Sequence, residues 1–160
     1  MRNAPTILCE KSGRWATALR SALGKQPVVL TETRSPVQCA QALQTAPSAL
    51  VAIEVTAATL EAMIEFLIRA SRSYPAARIV ALLDSELDSA QPLLREAGAV
   101  DVLLTIREAP VLVRLAVRHA TLAPRQELGL RETVAQRLPW QRLQTADFAA
   151  HIGISSQPLP

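Results

Sequence analysis

Ala49-Leu50-Val51-Ala52-Ile53-Glu54-Val55 is a nearly continuous apolar run, broken by a single carboxylate near its carboxyl end. A strand with this pattern is buried on both faces, as the central strands of a parallel sheet are. Working outward, similar short runs recur on either side. Thr6 to Glu10 is a strand ending in the charged pair Glu10-Lys11, and Val28 to Thr31 is a β-branched strand entered through Pro27. Ile79 to Leu83 and Val100 to Leu104 supply two more.

Helical spacing fills every gap between these runs. Trp15, Leu19, Ala22 and Leu23 recur at helical intervals after a Ser12 cap, and Gly24 closes that helix. Ser35-Pro36-Val37-Gln38 spells a capping box with proline at the first helical position, opening a helix that runs through Leu43 and stops before Pro47. Leu60, Met63, Ile64, Leu67 and Ile68 form one apolar stripe in a helix closed by Pro75. With Ser89 as cap, Pro92 falls at the third position of a fourth helix, where its missing N–H costs nothing; Gly98 ends it. Pro110 opens a fifth helix reaching about Ala123.

Five strands alternating with five helices predict a three-layer α/β sandwich. Right-handed crossovers leave few topologies, and the flavodoxin-like order 2-1-3-4-5 suits five βα units. The sandwich is expected over residues 1–123. A helical extension, with Leu128, Val134 and Leu138 as its apolar positions, is expected over 124–140, and a weakly ordered tail over 141–160.

Composition supports a packed domain. The 160 residues are 49% hydrophobic and 19% charged, which argues against disorder. Aromatics are only 3%, so the core must be aliphatic. No apolar run is long enough for a membrane span, and the opening residues lack a signal peptide's apolar stretch. Two cysteines, Cys9 and Cys39, make no disulfide framework and fit a reducing cytoplasm. Together with His119 and His151 they lack the close ligand pairs of a zinc site.

The first 120 or so residues resemble the receiver domain of two-component signalling. The resemblance rests on the order of elements, on Pro47 through Val55 as the third-strand segment, and on Gly98-Ala99-Val100-Asp101-Val102-Leu103 as the approach to the fifth strand. It implies a CheY-like fold. It also implies a phosphoacceptor aspartate ending the third strand and an acidic pair for magnesium after the first. A hydroxyl should end the fourth strand and a lysine the fifth. The metal and the lysine neutralise phosphoryl oxygens while the aspartate attacks in line.

This sequence departs from that set. Glu54 stands at the phosphoacceptor position, and its extra methylene displaces the carboxylate in a reaction that tolerates little misplacement. The acidic pair is reduced to Glu10 beside Lys11, or to Cys9 and Glu10 in the neighbouring register. Leu83 matches the hydroxyl position and Thr105 the lysine position. The expectation is a degenerate receiver without aspartyl phosphorylation and with no catalytic or metal-binding residue. Glu54 then either pairs with Lys11 across the mouth of the sheet, or joins Glu10 in a residual magnesium site, the less favoured of the two.

Other functions find less support. There is no G-x-G-x-x-G loop after the first strand and no G-x-S-x-G elbow, and His119 reads as a surface or interface residue. Arg107, Arg114, Arg118, Arg125, Arg131, Arg137 and Arg142 populate the last third, but a net charge of +3 and scarce aromatics argue against nucleic acid. Protein interaction fits better. Val111, Leu112, Leu115 and Val117 widen the apolar surface of the fifth helix beyond one stripe, and Trp140 sits in the extension. Either the extension covers that surface within the chain, or a homodimer forms through the fifth helix or the extension. The alternative function is a flavodoxin-like ligand-binding domain or enzyme, with its crevice at the carboxyl ends of the strands.

Overall fold

The computed structural model describes residues 4–123. Within them five strands, β1 (Thr6–Cys9), β2 (Leu30–Thr33), β3 (Leu50–Val55), β4 (Arg78–Leu83) and β5 (Asp101–Leu103), form one sheet in the order β2-β1-β3-β4-β5. Every neighbouring pair is parallel. The alternating helices are α1 (Arg14–Leu23), α2 (Pro36–Thr45), α3 (Leu60–Ser73), α4 (Gln91–Glu96) and α5 (Ala109–Leu122). The expected architecture and strand order are therefore those of the molecule. The extension at 124–140, the tail at 141–160 and Trp140 lie outside the described residues.

The pleat sorts the strands' side chains into two apolar layers. Ile7, Cys9, Val51, Ile53, Val55, Ile79, Ala81 and Leu83 point to the face covered by α2, α3 and α4. Leu8, Leu50, Ala52, Val80 and Leu82 point to the face covered by α1 and α5. Trp15 and Phe66 are the only tryptophan and phenylalanine buried among the described residues, one in each layer, so the core is aliphatic as the composition required.

Several boundaries differ from those the sequence suggests. The second strand begins at Leu30, two residues later than expected, and runs on through Glu32 and Thr33. It lies at the sheet edge, where one flank meets solvent and polar residues are tolerated. A turn of 3-10 helix (Ser85–Ala90) precedes α4, so the cap is Ala90 instead of Ser89 and Pro92 sits within the first two positions. Another such turn (Ile106–Glu108) precedes α5 and is fixed by a capping box between Thr105 and Glu108. In α2, Ser35 Oγ accepts from Gln38 N–H at 3.2 Å, while the Gln38 side chain reaches one residue further back, to Arg34 N–H at 2.8 Å. In α3 the buried stripe is Met63, Phe66, Leu67 and Ala70; Ile64 and Ile68 are only partly covered, because the sheet contacts the helix about one position round.

His119 is not a free surface residue. Its Nε2 lies 2.7 Å from the Ser48 carbonyl, so the ring donates from Nε2 and ties the last turn of α5 to the loop before β3. Replacing His119 by alanine should lower the unfolding free energy by about 1 kcal/mol, the usual net value of such a bond. Urea unfolding tests this, and an unchanged midpoint would assign the bond no net role.

Candidate functional site

Parallel sheets collect their loops, and so their chemistry, at the carboxyl ends of the strands. Glu10 follows β1 there and is buried, with 3% of its surface exposed. A carboxylate so buried needs partners. It finds them in α1: Oε2 accepts from Trp15 N–H at 2.9 Å and Oε1 from Ala16 N–H at 2.6 Å. The expected Ser12 cap is thereby corrected. Gly13, at φ 78°, is the N-cap residue and makes no side-chain bond, and the amides that need a side-chain acceptor take Glu10 instead. Ser12 Oγ is left with weaker contacts, to Glu10 Oε2 at 3.4 Å and from Arg14 N–H at 3.3 Å. The negative charge also meets the positive end of the helix dipole.

Glu54, the one charged residue of β3, is mostly covered. Its Oε2 accepts from the backbone N–H of Lys11 at 3.0 Å, and its Oε1 lies 3.5 Å from Arg14 Nη2. The expected side-chain pair with Lys11 is therefore corrected: Lys11 contributes its amide, and the cation is Arg14. The geometry explains the exchange. Lys11, two residues past β1, turns its amide across the mouth of the sheet, while Arg14, in the first turn of α1, has the reach to come back over it. The same guanidinium nitrogen lies 3.4 Å from Asp84 Oδ1, just past β4, so one arginine spans the ends of β3 and β4. Among the described residues the Lys11 ammonium makes no ion pair.

The five positions matched to the resemblance fall into two cavities. Glu10, Lys11 and Glu54 line one of about 580 Å³, with Cys9, Ser12, Arg14, Arg34, Pro36, Thr56, Thr59, Ala62 and Met63. Leu83 and Thr105 line a second of about 210 Å³, with Trp15, Asp84, Ser85, Leu104 and Ile106. Arg14 belongs to both. Leu83 is 2% exposed and packs into the core. Thr105 Oγ1 accepts from Arg107 N–H at 3.3 Å, so it serves the turn before α5.

Cys9 forms part of the larger cavity's floor. The neighbouring Cys39 thiol lowers the Cys9 pKa to about 7, with burial opposing and Thr33 helping. Cys39 is raised by the proximity of Cys9 and by burial. Both thiols are free. Thirty residues apart in the chain, the two cysteines carry no sequence signal of their meeting between β1 and α2.

Of the residues expected at an interface, Leu112 is withdrawn: it is fully buried against the sheet. Val111, Leu115 and Val117 are partly covered in the same layer. The fifth helix spreads its apolar residues widely because it contacts α1 as well as the sheet.

No family model and no curated protein matches the sequence. Solved structures do. A response regulator from Thermotoga maritima is 20% identical, with a TM-score of 0.57 over 74% of this chain and 98% of its own. An orphan response regulator of H. pylori is 16% identical, with a TM-score of 0.58 over 75% of this chain and 99% of its own. A protein described as an atypical orphan response regulator with a phosphorylation-independent regulatory mechanism is 14% identical, with a TM-score of 0.58 over 71% and 95%. The chain thus has the fold of the response-regulator receiver domains.

Proposed function

We propose that the chain is a receiver-type regulatory domain that works through protein–protein contacts and has lost aspartyl phosphorylation and catalysis. One observation carries the reading: the carboxylate next to β1 is turned into its own helix. Both Glu10 oxygens receive backbone N–H bonds, and Glu54 is held by another amide and by Arg14. Magnesium asks for carboxylate oxygens with free lone pairs and room for several waters. These residues do not fit it, since Arg14 and the ammonium of Lys11 bring positive charge where the metal would add more.

A phosphoryl group would meet the same difficulty from the other side. The nucleophile is a glutamate already engaged by two donors, and neither Leu83 nor the turn-capping Thr105 supplies the hydroxyl or the cation such a transfer needs. Arg14 instead bridges Glu54 and Asp84, so the ends of β3 and β4 are joined without a phosphoryl group. The similarity to an orphan regulator described as phosphorylation-independent lends support. Leu93 in α4, Val100 just before β5, Ile106 in the turn before α5 and Leu122 in α5 are exposed apolar residues, which suits a second copy or another protein there. Two buried free thiols suit the cytoplasm.

The test is a titration of the labelled protein with magnesium, then magnesium with beryllofluoride, followed by backbone amide shifts and by light scattering. The amides of Glu10, Glu54 and Thr105 are expected to stay in place and the mass to stay constant. Joint movement of those amides with a change of mass would restore the site to phosphoryl chemistry and overturn the reading.

A further inference from the structure

The larger cavity has a mixed lining. Pro36, Ala62 and Met63 are apolar, and Lys11, Arg14 and Arg34 bring three cations. Its volume of about 580 Å³ is within the range of small-molecule sites. Sites of that kind pair an apolar body with a few fixed polar groups, and the combination here selects for charge.

The two carboxylates in the wall are already matched, Glu10 by two amides and Glu54 by an amide and Arg14. The uncommitted charge belongs to Lys11, which makes no ion pair among the described residues; Arg34 beside it is paired with Glu32 but keeps an exposed guanidinium. The Arg34 guanidinium is 3.5 Å from the Glu10 and Lys11 carbonyls and 3.7 Å from Glu32. With Arg14 matched to Glu54 and Asp84 and Arg34 to Glu32, Lys11 is the one lining cation left without an acid partner among the described residues. A monoanion balances it. A dianion would bring surplus charge against Glu54 and Glu10, a metal cation would face three like charges, and a neutral apolar molecule would leave Lys11 without a partner.

We infer that this cavity is a binding site for a small amphipathic monocarboxylate. Its carboxylate is held by Lys11 and Arg34, and its apolar body lies along Pro36, Ala62 and Met63. The inference extends the reading above, in that a ligand would act at the mouth of the sheet where the fold's relatives take a phosphoryl group. The cavity borders Arg14, so occupancy would be sensed by the ion pairs that join the ends of β3 and β4.

The experiment uses the full chain and four probes: phenylbutanoate, the corresponding alcohol, acetate and phenyl phosphate, each to about 10 mM. Backbone amide shifts locate the binding. Phenylbutanoate is expected to saturate shifts at Lys11, Ser12, Thr56, Thr59 and Ala62, at least about tenfold more tightly than the alcohol or acetate. The double variant Lys11→Met with Arg34→Met should erase that preference. Ala62→Phe, at an exposed helix position, should block the cavity while leaving the amide spectrum dispersed.

No saturable shift with phenylbutanoate, or shifts at another place, would overturn the proposal. So would equal binding of acid and alcohol, or tighter binding of phenyl phosphate. The beryllofluoride titration is read separately: silence there with silence here removes the ligand and leaves the reading of a phosphorylation-free regulator intact.

Discussion

Glu10→Ala should destabilise the domain by about 3 kcal/mol, most of what a marginally stable fold can lose. The alanine removes the acceptor from two amides at once, those of Trp15 and Ala16, which belong to buried residues. An unpaired buried donor costs about 1–3 kcal/mol, and the two losses fall in the same turn. Glu10→Gln keeps one carbonyl oxygen for one of the amides and should cost about 1 kcal/mol. Chemical unfolding of the two variants separates the effects. If alanine and glutamine cost the same small amount, water serves the helix as well as the carboxylate, and Glu10 returns to the list of free site residues.

Gly98→Ala should be as damaging, for a different reason. Gly98 has φ 120°, where side chains are rarely found, and an added Cβ would lie 2.7 Å from Ser71 Cβ and 2.8 Å from its Oγ. The backbone of the α4–β5 turn passes directly over α3, so either the turn lifts or the helix shifts. Strain of that conformation costs about 1–3 kcal/mol and overpacking about as much again. A loss of about 3 kcal/mol is expected in urea or thermal unfolding. The double variant Gly98→Ala with Ser71→Gly should recover the overpacking share and leave the strain. If the second change recovers nothing, the close approach of turn and helix is not what holds glycine at this position.

The layered sandwich was legible because most of the strands are short apolar runs and each is separated from the next by a helix, so local pattern and topology agree. The helix α3 stripe shows where that agreement thins: periodicity located the face to within one position, and only packing on the sheet decided that Phe66 lies inside and Ile64 at its border. Elements shaped by tertiary position were read less well. The second strand is polar in its latter half because it is an edge, which a sequence window does not reveal. Thr105-Ile106-Arg107-Glu108 did carry a readable sign, a threonine followed three residues later by a glutamate, and that capping box fixes the entry to α5.

In the site, residue types were legible and pairings were not. Glu10 and Glu54 were both named from their places at strand ends. Which of them turns inward depends on a cap: Gly13 has no side chain to offer α1, so the nearest buried carboxylate takes the amides. Arg14 was overlooked because its two acids are 40 and 70 residues away in sequence, brought within reach only by the parallel order of the sheet.

The strand order has one further consequence, for the two rims of the sheet. An open parallel sheet ends in rows of unpaired backbone groups that invite strands from other molecules. On one rim β2 carries Glu32, paired with Arg20 and within reach of Arg34; on the other β5 is three residues long and carries Asp101, paired with Arg95. A foreign strand docking on either rim must strip water from an acid–arginine pair before it gains a single ladder bond. These charges guard the sheet against edge-to-edge aggregation.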